Sequence, residues 1–266
     1  MRERPAVVQR FLVGSARLVV SLTLPVLLLI LWELGSRWNW FPRSLIASPF
    51  EVLEEASDMV KDGTLFGHIV VSLRRLAIGF VAGAALAVTL GMVVGLSRWC
   101  ELLFAPTVGL LAPVPVSAWI PLVIILCGIG EGTKVALIAI GIFFIMFFST
   151  VQGIRSTDPR LIEVARVYGK TSTQLVTKIL LPSAIGSMLQ GARAGLGLGW
   201  VLLIVAEVIA SSEGLGWLMW DARTFGRSAT MIVAIITVGV LGGLSDWILL
   251  RVYRLLTFWQ PKFQGQ

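Results

Sequence analysis

Residues 76–96 read LAIGFVAGAALAVTLGMVVGL. As one α-helix this uncharged run would be about 31 Å long at ~1.5 Å per residue, which matches a bilayer hydrocarbon core of roughly 30 Å. Glycine or alanine recurs at every fourth position: Gly79, Gly83, Ala87, Gly91 and Gly95. Stripes of this kind bring helix backbones close together in lipid, where apolar side chains gain nothing by leaving one another's neighbours. The stripe therefore predicts helix packing within one subunit, with a sliding or two-fold interface as the alternative. Gly191, Gly195 and Gly199, and then Gly239 and Gly243, repeat it further along the chain.

The composition agrees with that stretch. Of 266 residues 56% are hydrophobic and only 14% charged, and the mean hydropathy is +0.88. A soluble domain carries about 25% charged residues, so a soluble or disordered chain is excluded. Cys100 and Cys127 are too few for a disulfide framework and read as small apolar residues.

Apolar runs give six spans: 18–35, 76–96, 102–130, 135–154, 194–212 and 229–250, of which the first, fifth and sixth each contain one acid, Glu33, Glu207 and Asp246. The first follows a basic tail without a small-residue cleavage site and reads as a retained span. The third is too long for one straight crossing. Pro106, Pro113, Pro115 and Pro121 interrupt it, which predicts a broken helix lining a cavity. With both termini inside, fourteen of the 22 basic residues face the cytoplasm, as the positive-inside rule requires. The net charge of +7 is then topological, and no nucleic-acid partner is implied. The chain divides into a tail and first span (1–47), an external amphipathic segment (48–75) and a core (76–266). Within the external segment Ser48-Pro49-Phe50-Glu51 forms a capping box, with Leu53, Ala56 and Val60 on one face and an end near Gly63.

The cytoplasmic loop 155–182 is the informative part. Asp158-Pro159 starts a short helix with Leu161, Ala165 and Tyr168 on one face, and Gly169 stops it. A second helix, 172–180, ends before Pro182. So apolar a knob outside the membrane needs a partner surface.

Glu163-Val164-Ala165, Gly169 and Ile179-Leu180-Leu181-Pro182 resemble the EAA motif of importer-type ABC transporter permeases. Val164 stands where the family often has a second alanine. Ser72-Leu73-Arg74-Arg75, Gly128-Ile129-Gly130-Glu131 and Gly214-Leu215-Gly216 are similar to the nitrate, sulfonate, taurine and bicarbonate branch. The resemblance implies an all-α polytopic bundle with the type I importer (MetI-like) permease fold, in a bacterial inner membrane.

It also implies partners: a second permease in a homodimer, two cytoplasmic ATPase subunits that hold ATP and Mg, and a periplasmic or lipid-anchored solute-binding protein. The loop would be a coupling helix. Glu163 would make polar contacts, Ala165 would allow close approach, Tyr168 would lie on the contact face, Gly169 would turn the chain, and Leu181-Pro182 would end the knob. The implied solute is a sulfonate such as taurine, nitrate or bicarbonate, with a vitamin precursor or aromatic acid as alternatives. A stand-alone secondary transporter is the rival class.

Other signals are weaker. Gly169-Lys170-Thr171 lacks the first glycine of a phosphate loop, and Gly195–Gly199 departs from a dinucleotide pattern. His68 is the only histidine, which removes histidine clusters as metal sites; it reads as an interface residue. No catalytic group or metal site is expected. Ionisable residues inside spans are functional candidates, so Glu207, with Trp200 and the bend residues Pro113, Pro115 and Trp119, forms the candidate translocation path. A structural partner within the bundle is the alternative reading of Glu207.

Overall fold

The computed structural model describes residues 23–38, 40 and 46–257. The secondary structure among them is helical: α1 over 23–37, α2 (Pro49–Lys61), α3 (Thr64–Leu96), α4 (Arg98–Leu111), α5 (Ile120–Cys127), α6 (Glu131–Arg155), α7 (Pro159–Val167), α8 (Ser172–Leu175), α9 (Leu181–Ala210), α10 (Leu215–Thr224) and α11 (Ser228–Leu256). The described residues form two compact units, those within 1–65 and 221–233 and those within 66–220 and 234–266.

Among the described residues four stretches are long and apolar enough to cross a membrane: Thr64–Leu96, Glu131–Arg155, Ser172–Ala210 and Ser228–Leu256. The pair Arg98–Leu111 and Val116–Cys127, bent by 95°, makes a fifth if it counts as one span. The remaining expected span, 18–35, lies partly outside the described residues. The bend falls at Pro113 and Pro115, where missing N–H groups and fixed φ prevent a continuous helix.

In the smaller unit the capping box is present. The Glu51 N–H donates to Ser48 Oγ (3.2 Å), and the Ser48 N–H donates to Glu51 Oε2 (2.7 Å). The face that turns inward carries Val52 and Met59, whereas Leu53 and Val60 are exposed. After α2, the Asp62 carboxylate accepts from the Thr64 backbone N–H and hydroxyl, and these bonds hold its carboxyl below the ordinary value.

The larger unit is organised around α6. Its interior face (Ile138, Ile142, Met146 and Phe147) meets Leu76, Ala87 and Val94 of α3 and Trp200 and Leu203 of α9 in one core. The glycine stripe of α3 packs here: a Cβ on Gly79 would meet Ile138, on Gly91 Thr150, and on Gly95 Ile154, each within 2.9 Å. Both residue series ascend together, so α3 and α6 run parallel. Gly191 packs on Ser149 and Gly199 on Ile142, so α9 runs antiparallel to α6. Both stripes are thus used inside one chain. Gly239 and Gly243 of α11 differ, since among the described residues a Cβ on either would meet nothing within 4 Å.

Two sequence expectations need correction. Residues 64–75, read as part of the external segment, are the first three turns of α3. The charged residues there continue the helix because Arg75 is buried against acidic partners. The segment 172–180 does not end before Pro182: it continues into α9 through a π turn over Val176–Leu180, in which the Leu181 N–H reaches Val176 O. A proline at 182 lacks the N–H for a regular turn and its ring crowds the carbonyl four residues back. The wider turn relieves both conflicts.

Candidate functional site

The two ends of α6 define two sites. Its 25 residues separate them by about 37 Å at ~1.5 Å per residue.

At the Arg155 end lies the 155–182 segment. The Asp158 carboxylate accepts from the Arg160 N–H at 2.9 Å and opens α7. The helix closes with Gly169 at φ +67°, its N–H bonded to Arg166 O (2.9 Å), and with the Lys170 N–H bonded to Ala165 O (3.0 Å). This pair of bonds requires a left-handed residue, which glycine adopts without strain. Ala165 turns inward and is buried, unlike Leu161 and Tyr168, with which the sequence reading grouped it. The outward face is Leu161, Val164, Val167 and Tyr168, the last two 86% and 78% exposed. Glu163 is exposed beside them, and Leu181 and Pro182 are half-buried in the first turn of α9.

At the Glu131 end a buried ionic cluster joins α3, α6, α9 and the turn before α10. Glu207 is wholly buried, and Arg75 and Lys134 are 4% exposed. Arg75 Nη1 donates to Glu207 Oε1 (2.8 Å) and to the Glu213 carbonyl (2.7 Å). Its other edge grips Glu131, with Nε to Oε2 at 2.7 Å and Nη2 to Oε1 at 2.6 Å. Lys134 Nζ donates to Glu131 Oε1 (2.7 Å) and Ser211 Oγ (3.2 Å). Ser72 Oγ donates to Glu207 and accepts from the Leu215 N–H, while the Gly216 N–H donates to Glu207 Oε2. His68 accepts from the Gly214 N–H at 3.1 Å and stacks on Trp217. A carboxylate taken out of water needs this degree of pairing and hydrogen bonding.

The local sequence explains the assembly. His68, Ser72 and Arg75 stand at i, i+4 and i+7, one face of α3. Glu131 occupies the first turn of α6, where the helix dipole favours an acid, and Lys134 follows at i+3. Gly214, at φ +114°, lies against the Glu207 carboxylate, where any Cβ would collide with it.

The candidate path residues are not brought together. Pro113 and Pro115 are exposed at the bend. Trp119 is half-buried in a small cluster with Val123, Leu137 and Ala206. Trp200 is a core residue whose indole N–H donates to Ser245 Oγ at 3.0 Å. Trp200 and Glu207, 6% and 0% exposed, offer no open surface to a solute in this chain. Sequence reasoning named Glu207 without its partners. A buried acid in a span calls for a nearby cation, and Arg75 stands in a stretch already singled out for its family resemblance.

The comparisons with known proteins agree with this architecture. The family model described as "Binding-protein-dependent transport system inner membrane component" matches residues 77–257. The chain is 38% identical over 240 residues to the putative aliphatic sulfonates transport permease protein SsuC of Escherichia coli (strain K12), covering 90% of this chain and 91% of that one. The corresponding protein of Bacillus subtilis (strain 168) is 34% identical over 245 residues, covering 92% and 89%. The taurine transport system permease protein TauC of Escherichia coli (strain K12) is 32% identical over 247 residues, covering 91% and 90%. An inward-facing structure of the MetNI methionine ABC transporter has a TM-score of 0.65 at 18% identity, covering 73% of this chain and 96% of that one, a likeness of fold alone. The matched stretch takes in α3 from residue 77 onward and the whole of α6 and α9, and the chain belongs to the family of binding-protein-dependent transport system inner membrane components.

Proposed function

We propose that this chain is the permease of an ATP-driven importer of small oxyanions, sulfonates foremost, and that it works as a homodimer with its termini in the cytoplasm. Two cytoplasmic ATPases, which hold ATP and Mg, seat the 155–182 segment, and a solute-binding protein delivers the solute outside. The observation that carries the reading is the outward apolar face of α7, closed by the left-handed turn at Gly169. Such a face at a charged, membrane-excluded end calls for a protein surface to cover it. The names of the sulfonate and taurine relatives support the solute class.

In mechanism, ATPase closure pushes on α7. Glu163 makes polar contacts at that joint, Tyr168 and its neighbours bury apolar area, and Ala165 keeps the helix close to the bundle. The continuous helix through Leu181 and Pro182 carries the displacement into α9. The bend at Pro113, Pro115 and Trp119 lines the path, while Trp200 and Glu207 hold its wall from inside.

Two substitutions test this: Glu163→Ala and Gly169→Val. The expected result is loss of co-purifying ATPase and of sulfonate-dependent growth, with the permease still present in the membrane. Unchanged association and uptake in both variants would overturn the reading.

A further inference from the structure

The ionic cluster is closed on one side by a group that water reaches. Arg75, Lys134 and Glu207 are buried, yet the Glu131 side chain is 62% exposed. The buried members carry two positive charges and one negative, so they need one more anion, and Glu131 supplies it from the rim. Its two oxygens sit on the Nε/Nη2 edge of Arg75, and one also takes Lys134. A guanidinium edge of this kind receives two oxygens of any planar or tetrahedral oxyanion, with an ammonium beside it for further contact.

We propose that Arg75 and Lys134 form an oxyanion site for the transported solute, in which the Glu131 carboxylate is a tethered, displaceable stand-in. A sulfonate entering from the exposed side takes the guanidinium edge and Lys134 Nζ, and Glu131 swings out to water. Glu207, with Ser72 and the Gly216 N–H behind it, keeps Arg75 aimed through Nη1 whichever anion occupies the other edge. Competition from a covalently attached carboxylate keeps the site weak, and a transport route needs weak sites that release what they bind. The importer reading enters only in the choice of a sulfonate as solute.

The test uses the full-length chain in phosphatidylcholine nanodiscs, without ATPase or uptake. Thermal unfolding is followed against methanesulfonate, with chloride at equal ionic strength as reference. Wild type is expected to respond weakly. Glu131→Gln is expected to be stabilised by methanesulfonate beyond chloride, with a midpoint at least ~10-fold lower than wild type, and Glu131→Gln/Lys134→Gln to lose that response. Glu131→Asp keeps the charge but shortens the tether, so its midpoint should fall between the two and serves if the Gln variant does not fold. A midpoint unchanged from wild type in Glu131→Gln, or in Glu131→Asp where that is the variant read, overturns the site. So does a response to methanesulfonate no greater than to chloride. Equal stabilisation of Glu131→Gln by phosphatidylglycerol nanodiscs without added anion would give the site to a lipid headgroup and overturn the solute assignment. Failure here leaves the importer reading standing, whereas retained binding with no sulfonate uptake in cells would count against that reading.

Discussion

Gly83 and Ala139 are in backbone contact: a Cβ added to Gly83 would stand 3.0 Å from the Cα of Ala139 and closer still to its carbonyl oxygen. The obstacle is main chain, which cannot rotate away as a side chain can. Gly83→Val should therefore push α3 from α6 and cost about 1–3 kcal/mol, the usual range for overpacking. Gly243→Ala, with nothing within 4 Å, should stay within about 0.5 kcal/mol of wild type. Thermal unfolding of the pair in detergent decides it: equal losses at the two positions would contradict the packing described.

Arg75 and Glu207 form a buried pair. Removing one partner strands the other charge, so Glu207→Leu should cost about 3–5 kcal/mol. Arg75→Met/Glu207→Leu should be less unstable than the sum of the two single changes, because the stranded charge is gone. Additive losses in a double-mutant cycle would show that the two side chains do not act as a pair.

Gly214 combines φ +114° with the nearby Glu207 carboxylate. Gly214→Ala should strain the backbone and displace the carboxylate together, and about 2 kcal/mol is a reasonable scale for one strained residue with a disturbed buried bond. Combined with Glu207→Leu, part of this loss should disappear. Stability measurements on the two single variants and the double read the coupling directly.

At Gly169 the two consequences of substitution should separate. The glycine is left-handed with nothing within 4 Å, so Gly169→Asn, a residue that tolerates this conformation, should keep uptake near wild type. Gly169→Val, for which that conformation is an outlier, should reduce it strongly. Uptake rates normalised to membrane-inserted protein check the order of the three sequences.

Much of this was legible in the sequence because it depends on local chemistry. The capping box at Ser48 and Glu51, the start at Asp158-Pro159, the stop at Gly169 and the proline break in the third apolar run are all set by neighbours in the chain. The spacing of Gly79, Gly83, Gly91 and Gly95 likewise announced close packing. It did not say against what, and α6 became the partner only once the helices were placed. The Glu207 cluster was hidden for the same reason, since Ser72, Arg75, Glu131 and Gly216 are far from it or from one another in sequence. Periodicity also misjudged Ala165: its small side chain suits either an exposed face or a tight contact, and tertiary packing chose the contact. The π turn was missed because the residues around Pro182 read as a stop, while a widened turn lets the helix continue past the proline.

That widened turn holds a surplus residue. If Val176–Leu180 tightened to regular α-helical geometry, the helix before it would have to rotate by about 100° and shift by about 1.5 Å relative to α9. Pro182 opposes that tightening, so the widened turn fixes the rotation of the 172–175 turn about the α9 axis.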